Sequence, residues 1–158
     1  MSWIRRGVGV ISQKAQYALK ALISLAEAEP QTACFISDIA ARQNIPKKFL
    51  EQILLDLKHH GIVQSRRGKA GGYLLLKSAG DITYGEVLRI VDGPLAPLPC
   101  LSRIAYRRCD GCTNEETCQI RKVFAYVAEA TRDVLDRTTI ADSLPADGFA
   151  IPQMDAID

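Results

Sequence analysis

Two short amphipathic segments separated by a tight turn, with a glycine-rich hairpin after them, constrain the fold of this chain most. The first segment, 38–43, follows a capping residue at Ser37 and ends at Asn44, which suits the left-handed conformation after a helix. The second begins near Pro46, because proline in the first turn of a helix loses no hydrogen bond, and it stops at Gly61. Its apolar positions recur at helical spacing: Leu50, Ile53, Leu54 and Leu57.

A basic turn follows this helix pair and lies between two strand-like segments. The segments are 62–65 and 73–77, and the turn between them reads RRGKAGG. Two short β-prone runs on either side of such a turn predict a hairpin. A helix pair followed by a basic hairpin is the element order of a winged helix-turn-helix domain. The predicted fold class is therefore mainly α with a small β-hairpin wing.

Further helices are predicted before and after this unit. Ser12 is placed to cap a helix over 11–28. Thr83 and Glu86 have the spacing of a capping box for a helix that runs through Val91. Both helices supply apolar faces that can close a core around the helix pair.

A long amphipathic helix is predicted near the C-terminal end. Ile120, Val127 and Val134 repeat every seven residues, which favours packing against a partner helix and thus a homodimer. The alternative is a helix packed on its own domain. The predicted division is a DNA-binding domain at 11–93, a cysteine-rich cluster loop at 94–118, a dimerisation helix at 119–141 and a flexible acidic tail at 142–158.

Charge is distributed unevenly along the chain. The stretch 42–77 carries eight basic residues and two acidic ones, whereas 133–158 carries six Asp and one Arg. A basic middle indicates a polyanionic partner. The alternative is that these are solvated faces of an ordinary protein.

The N-terminal residues of the second helix in such a pair enter the major groove of DNA. There glutamine can pair with adenine, glutamate can accept a hydrogen bond from cytosine, and lysine more often meets phosphates. The predicted DNA-binding residues are Lys47, Lys48, Glu51 and Gln52 on the helix, with Arg66, Arg67, Lys69, Gly71 and Gly72 on the wing. Each alone could be a solvated surface residue, but their joint order favours a double-stranded DNA operator as the partner.

Four of the five cysteines cluster in the loop, at Cys100, Cys109, Cys112 and Cys118. Cys34 stands apart near an apolar stretch and is predicted to be a small core residue. Thiolates are soft ligands that suit iron–sulfur clusters and zinc, and neighbouring arginines favour the thiolate form. The spacing leaves three alternatives open: a cluster, a zinc ion, or a reversible disulfide between Cys109 and Cys112.

Other function classes find little support. No apolar run is long enough to span a bilayer, and residues 1–10 lack the apolar core of a signal peptide. The expected location is the cytoplasm, where cysteines are reduced or metal-bound. No catalytic Ser/His/Asp or His/Cys/Asp set is recognisable, so the chain is not expected to be an enzyme.

The sequence resembles the bacterial winged-helix transcriptional regulators typified by IscR, NsrR, RirA and CymR. The resemblance rests on ISDIAARQNIPKKFLEQILLDLKHHG at 36–61, on RRGKAGGYLLL at 66–76 and on ITYGEVLRIVDG at 82–93, and it extends over most of 11–141. It implies a homodimer joined by the long C-terminal helices and an operator with two related half-sites. It also implies that Glu51, Gln52 and Arg67 lie close to the DNA.

The same resemblance implies a cofactor. Many members hold a [2Fe-2S] or [4Fe-4S] cluster on three loop cysteines, whereas others, like CymR, lack it and respond through a protein partner. Cys112 and Cys118 match the last two family cysteines, but the first falls at Tyr106 and a family histidine falls at Arg121, which cannot ligate. These departures favour an all-cysteine site formed by Cys100, Cys109, Cys112 and Cys118, with [2Fe-2S] preferred over [4Fe-4S].

The predicted function is therefore a DNA-binding transcriptional regulator controlled by a cysteine-ligated iron–sulfur cluster. The alternative is a zinc-stabilised or cluster-free regulator that responds through thiol chemistry or a partner protein.

Overall fold

The computed structural model describes residues 11–145. Five α-helices and one antiparallel hairpin occupy this range: α1 (Gln13–Ala26), α2 (Ile36–Gln43), α3 (Lys47–His59), β1 (Val63–Arg66), β2 (Gly72–Leu75), α4 (Tyr84–Asp92) and α5 (Gln119–Arg137). Short 3-10 turns lie at Ala79–Asp81, Pro99–Leu101 and Ala141–Ser143. The order of helix pair and hairpin confirms the predicted winged-helix architecture.

Helix α1 lies at the centre of the core and contacts α2, α3, α4 and β2. Its inward face is built from small and apolar residues, so neighbouring helices can approach closely. Each large side chain buried here stabilises the fold by about 1.5–3 kcal/mol relative to exposure. The fully buried large side chains across the domain include Leu22, Ile39, Leu50, Ile53, Leu54, Leu57, Ile62, Ile82, Val87 and Leu88.

The helix pair begins and ends largely as the sequence predicts. The Ser12 hydroxyl accepts a hydrogen bond from the Ala15 backbone N–H at 3.0 Å, which confirms the cap of α1. Asn44 has φ 53° and ψ 49°, the predicted left-handed conformation after α2. The prediction that Ser37 caps α2 is wrong, since the helix begins at Ile36 and its cap position is Phe35.

The pairing with the hairpin limits how early α2 can begin. Cys34 and Tyr73 exchange two backbone hydrogen bonds of 2.8 Å, so the chain is extended up to Phe35. Helical geometry can then begin only after this bridge. Cys34 is half-buried and packs at the edge of the core, close to its predicted role.

The predicted capping box at α4 is half formed. The Thr83 hydroxyl accepts a hydrogen bond from the Glu86 backbone N–H at 3.1 Å. The Glu86 carboxylate does not return to Thr83 but pairs with Lys77 Nζ at 2.5 Å. The helix ends at Gly93, whose φ of +83° favours glycine.

Helix α5 packs against α4 and the 3-10 turn at Pro99–Leu101. Asp136 accepts two hydrogen bonds from Arg89 Nη2, at 2.6 and 2.8 Å, which ties α5 to α4. The helix ends at Arg137, before the predicted boundary at 141, because the chain after it pairs with the segment before α4. Ile140 donates its N–H to the Ile82 carbonyl at 2.9 Å, and its side chain is fully buried.

The structure covers only the beginning of the predicted acidic tail. The Asp142 carboxylate accepts hydrogen bonds from the backbone N–H and hydroxyl of Thr139, at 2.7 and 2.8 Å. Residues 146–158 lie outside the described residues. Across the part of the chain that is described, no helix is long and apolar enough to cross a membrane.

Substitution of Gly72 by alanine is expected to destabilise the domain strongly. Gly72 has φ +130°, and an added Cβ would lie 2.3 Å from the Cys34 carbonyl oxygen. The expected loss is on the order of 3 kcal/mol, measured by chemical denaturation. Gly68→Ala is the matched control, because Gly68 also has a positive φ but meets nothing within 4 Å. Equal losses from both variants would show that the contact with Cys34 does not matter.

Candidate nucleic-acid interface and cysteine cavity

The first half of α3 presents a polar face to solvent. Lys47, Lys48, Glu51 and Gln52 are all exposed, opposite the buried stripe that begins at Leu50. The structure thus brings the four predicted helix residues together on one accessible surface. Such a surface matches the part of a recognition helix that meets base edges.

A hydrogen-bonded chain fixes the orientation of Gln52. Its Nε2 donates to Asp56 Oδ1 at 3.0 Å, and Lys14 Nζ lies 2.9 Å from the other Asp56 oxygen. The hydrogen bond from Lys14 lowers the pKa of the Asp56 carboxyl. The side chain of Gln52 is therefore held along the helix, with its amide carbonyl as a remaining acceptor.

Phe49 is a further exposed residue on α3 that the sequence analysis missed. Its side chain is 60% exposed. An aromatic ring at this end of a recognition helix could contact a thymine methyl group. No clear signal in the sequence indicated this exposure, because Phe49 lies four residues before Ile53 and eight before Leu57 and so fits the spacing of the buried residues.

The hairpin carries the second part of the basic surface. Arg66, Arg67 and Lys69 are exposed, and Arg66 Nη1 donates to the Gln31 carbonyl at 3.0 Å. A groove of about 340 Å³ separates the hairpin from α3 and is lined by residues of both, among them Lys47, Glu51 and Arg66. Of the predicted DNA-binding residues, Lys47, Glu51, Arg66 and Gly72 line this groove together.

The backbone geometry of the hairpin explains why glycines occupy positions 71 and 72. The Gly71 N–H donates to the Gly68 carbonyl at 2.9 Å within the turn. A Cβ on Gly71 would lie 2.7 Å from that same oxygen, and Gly72 faces the Cys34 backbone. A contact between these glycines and DNA stays a prediction.

All four loop cysteines line one cavity of about 380 Å³ at the start of α5. Cys100 lies on the 3-10 turn and is buried, whereas the other three are half-buried. The Cys112 N–H donates to the Cys109 carbonyl at 3.1 Å, in a turn where Gly111 has φ +73°. Cys118 occupies the N-cap position of α5, and its Sγ accepts a hydrogen bond from the Arg121 backbone N–H at 3.4 Å.

Electrostatics distinguishes the thiols from one another. Burial raises the pKa of the Cys100 thiol, the neighbouring Cys109 raises it further, and Arg121 acts in the opposite direction. The Cys112 thiol beside Arg108 raises the pKa of that guanidinium. Two arginines therefore stand next to the sulfur atoms, as expected for a set of thiolates.

The donor chemistry of the cavity fits a thiolate-bound metal or cluster. Within residues 11–145, however, no three His, Cys, Asp or Glu side chains converge as ligands of a single ion. Four sulfurs around one zinc would each lie about 2.3 Å from it. The four thiols line one cavity, so the donor set suits a thiolate-bound group without deciding between a zinc ion and a cluster. The buried Arg121 Nε also lacks a hydrogen-bond acceptor among the described residues, so the cavity has an unused donor.

The sequence has relatives of known class. It is 51% identical over 141 residues to an rrf2-like HTH-type transcriptional regulator of Rhodobacter capsulatus, covering 87% of this chain and 93% of that protein. It is 32% identical over 132 residues to the regulator CymR of Bacillus subtilis, covering 84% and 87%. It is 31% identical to the regulator IscR of Erwinia tasmaniensis, covering 84% and 76%. These relatives are transcriptional regulators, not enzymes.

Solved structures show the same fold. CymR of B. subtilis, described as the global cysteine regulator, aligns with a TM-score of 0.71 at 28% identity, covering 89% of this chain and 98% of that one. IscR of T. potens aligns with a TM-score of 0.68 at 27% identity, covering 92% of each chain. Residues 11–145 match the Rrf2 family, described as iron-dependent transcriptional regulators. Since this match spans most of the 158 residues, the chain belongs to the Rrf2 family of transcriptional regulators.

Proposed function

We propose that this regulator binds a two-part DNA operator as a homodimer in the cytoplasm, and that an iron–sulfur cluster in the cysteine cavity controls its affinity. The observation that carries the proposal is the meeting of four thiols from separate loop positions at the N-terminus of α5. Cys100, Cys109, Cys112 and Cys118 would hold the cluster. When bound, it would supply an iron centre sensitive to oxidants, nitric oxide or iron supply.

The proposed contacts with DNA would be made by α3 and the wing. Glu51 and Gln52 would meet base edges in the major groove, while Lys47 and Lys48 would meet phosphates. Arg67 and Lys69 at the tip of the hairpin would contact the backbone or a narrow minor groove. These contacts combine a sequence-specific and a salt-dependent contribution to affinity.

The homodimer rests on the exposed face of α5. Ile120, Val123 and Val127 are 62%, 61% and 45% exposed, and Val134 continues the same row at 62%. Among the described residues of this helix only Ala128 is buried. A second copy of α5 would cover the row and place two α3 helices on two half-sites.

The proposed route from cavity to DNA runs along α5. Cys118 lines the cavity and is also the N-cap residue of α5. Ile120 lines the cavity and also belongs to the exposed apolar row of α5. At the other end of the helix, the Arg89–Asp136 pair joins α5 to α4, which packs on α1 and α3. A change in cavity occupancy can therefore shift the relative populations of two dimer arrangements.

The second candidate is a regulator that holds no cluster. It is supported by the likeness in fold to CymR, the family member named above as lacking a cluster. In that case the thiols or a partner protein would carry the signal. A structural zinc ion is the other version of this candidate. The DNA surface would be unchanged in either version.

Arg67→Ala is expected to weaken operator binding and to lower its salt dependence. Removal of one phosphate contact reduces the slope of log affinity against log salt by about 1. The operator is obtained by selection from random DNA, and binding is measured by fluorescence anisotropy across a salt series. Arg137→Ala is the matched control, since that arginine is 80% exposed at the far end of α5. An unchanged slope in Arg67→Ala would remove the wing from the interface.

Val127→Asp is expected to convert the protein to a monomer. A carboxylate in the middle of an apolar helix seam weakens association by at least about 100-fold. Mass is measured by sedimentation equilibrium over a concentration series. Lys122→Asp adds the same group on the polar side of α5 and should leave the mass unchanged. A dimer that persists in Val127→Asp would place the interface elsewhere.

Cys112→Ser is expected to abolish iron and sulfide binding. The wild-type protein, purified without oxygen, should absorb visible light and contain iron and acid-labile sulfide in matched amounts. Cys34→Ser is the control and should keep both, because Cys34 lies outside the cavity. A colourless wild-type protein that contains zinc would support the structural-zinc candidate. A colourless protein without metal, even after reconstitution, would favour the cluster-free regulator.

A further inference from the structure

Arg121 occupies an unusual position for a cation. It lies in the first turn of α5, next to Lys122, and that turn contains no acidic residue. The positive end of the helix dipole lies at the N-terminus, where cations are disfavoured and anions are stabilised. Lys122 is exposed to solvent, but the partly buried Arg121 would be stabilised by a nearby negative charge, which the first turn of the helix does not supply.

The surroundings of the Arg121 side chain indicate that this negative charge belongs to the cysteine cavity. Arg121 lines the same cavity as the four cysteines, and its backbone N–H already donates to Cys118 Sγ at 3.4 Å. Its Nε is buried and has no hydrogen-bond partner among the described residues. Because buried donors are almost always satisfied, this N–H needs an acceptor that the described side chains do not supply.

The sulfur atoms provide a suitable acceptor. A guanidinium is always charged and presents several donors in a fixed plane, so it can neutralise a thiolate complex while donating to it. Three other arginines belong to the loop: Arg103, Arg107 and Arg108 are exposed and do not line the cavity, although Arg108 lies beside the Cys112 thiol. Arg121 is thus the arginine that the fold carries into the sulfur-lined space.

We propose that Arg121 is a positioning residue for the cavity occupant, with its Nε–H donating to a sulfur and its charge stabilising the anionic, thiolate-ligated centre. The proposal rests on the proposed function in one respect, that the cavity holds a thiolate-ligated group. It assigns a role to the residue that stands where a family histidine ligand falls: Arg121 binds no metal and acts on the centre through charge and hydrogen bonding.

The test compares three variants of the full-length protein: Arg121→Met, which keeps an unbranched apolar stem but removes the guanidinium and its charge, Arg121→Lys, which keeps the charge, and Arg107→Met as the control. Circular dichroism and sedimentation first establish that each variant is folded and keeps the wild-type mass. Each protein is then reconstituted anaerobically with iron and sulfide, and the midpoint potential of its centre is measured by a spectroscopic redox titration.

The midpoint potential of Arg121→Met is expected to shift to more negative values, because loss of a nearby cation disfavours the added electron. Arg121→Lys should restore most of the shift, and Arg107→Met should match the wild type. A residue that only packs the loop would leave the potential unchanged, so equal potentials in Arg121→Met and wild type would overturn the inference.

Cobalt(II) is the second probe and separates this inference from the proposed function. If the wild-type protein takes up no iron and sulfide, the cluster proposal fails, but cobalt still reports thiolate coordination through its visible spectrum. Arg121→Met should then bind cobalt about 10-fold to 100-fold more weakly than wild type or Arg107→Met. Equal affinities, or a wild-type protein that binds neither probe, would overturn the role of Arg121.

Discussion

The packing of α1 against its neighbours is the constraint on which the rest of the structure depends. Ala15, Ala18 and Ala21 are fully buried, and their small side chains let α3 and α4 lie close to the α1 backbone. Because α3 is held from one side by this contact, its other side is left for Lys48 and Gln52 at the surface. The same packing holds α4, so α3 and the helix that meets α5 share one support.

Polar contacts at the ends of these helices fix the arrangement. The backbone N–H of Ser12 donates to Asp92 Oδ2 at 2.8 Å, and its hydroxyl also bonds to that carboxylate. This joins the beginning of α1 to the end of α4. At the far side of α4, Gly85 lies under the Arg89–Asp136 pair, where an added Cβ would fall 2.0 Å from Asp136 Oδ1. Glycine at this position thus leaves room for the Arg89–Asp136 pair, which a larger residue would displace.

Local signals in the sequence were sufficient to predict most elements, and long-range pairing decided the rest. Ser12 and Asn44 act within a few residues of their own helices, so their roles could be read from the sequence. Ser37 failed as a cap because Tyr73, far along the chain, pairs with Cys34 and sets where α2 begins. The end of α5 was missed for the same reason, since Ile140 pairs with Ile82.

The two candidate sites also differ in how much of each could be predicted from the sequence. The basic residues of α3 and the wing stood out by charge and element order alone, and the structure places them at the surface, whereas their contact with DNA stays a prediction. The cysteine spacing indicated a sulfur site but could not show that Cys100 is the buried member, because its burial depends on packing of the 3-10 turn against α5. It also could not show that Arg121 reaches into the cavity with an unused donor.

The position of the cavity at the start of α5 determines what its occupant can control. A group bound to Cys118 acts directly on the cap of the helix, where the Arg121 N–H is already bonded to the sulfur. The next residues of that helix include Ile120, which borders both the cavity and the exposed apolar row. A change in charge or size at the sulfurs would be transmitted to this apolar row over one helical turn, whereas the exposed N-terminal end of α3 lies in a different part of the fold. Regulation in this architecture would therefore act on the geometry of the dimer, with the chemistry of each DNA contact left unchanged.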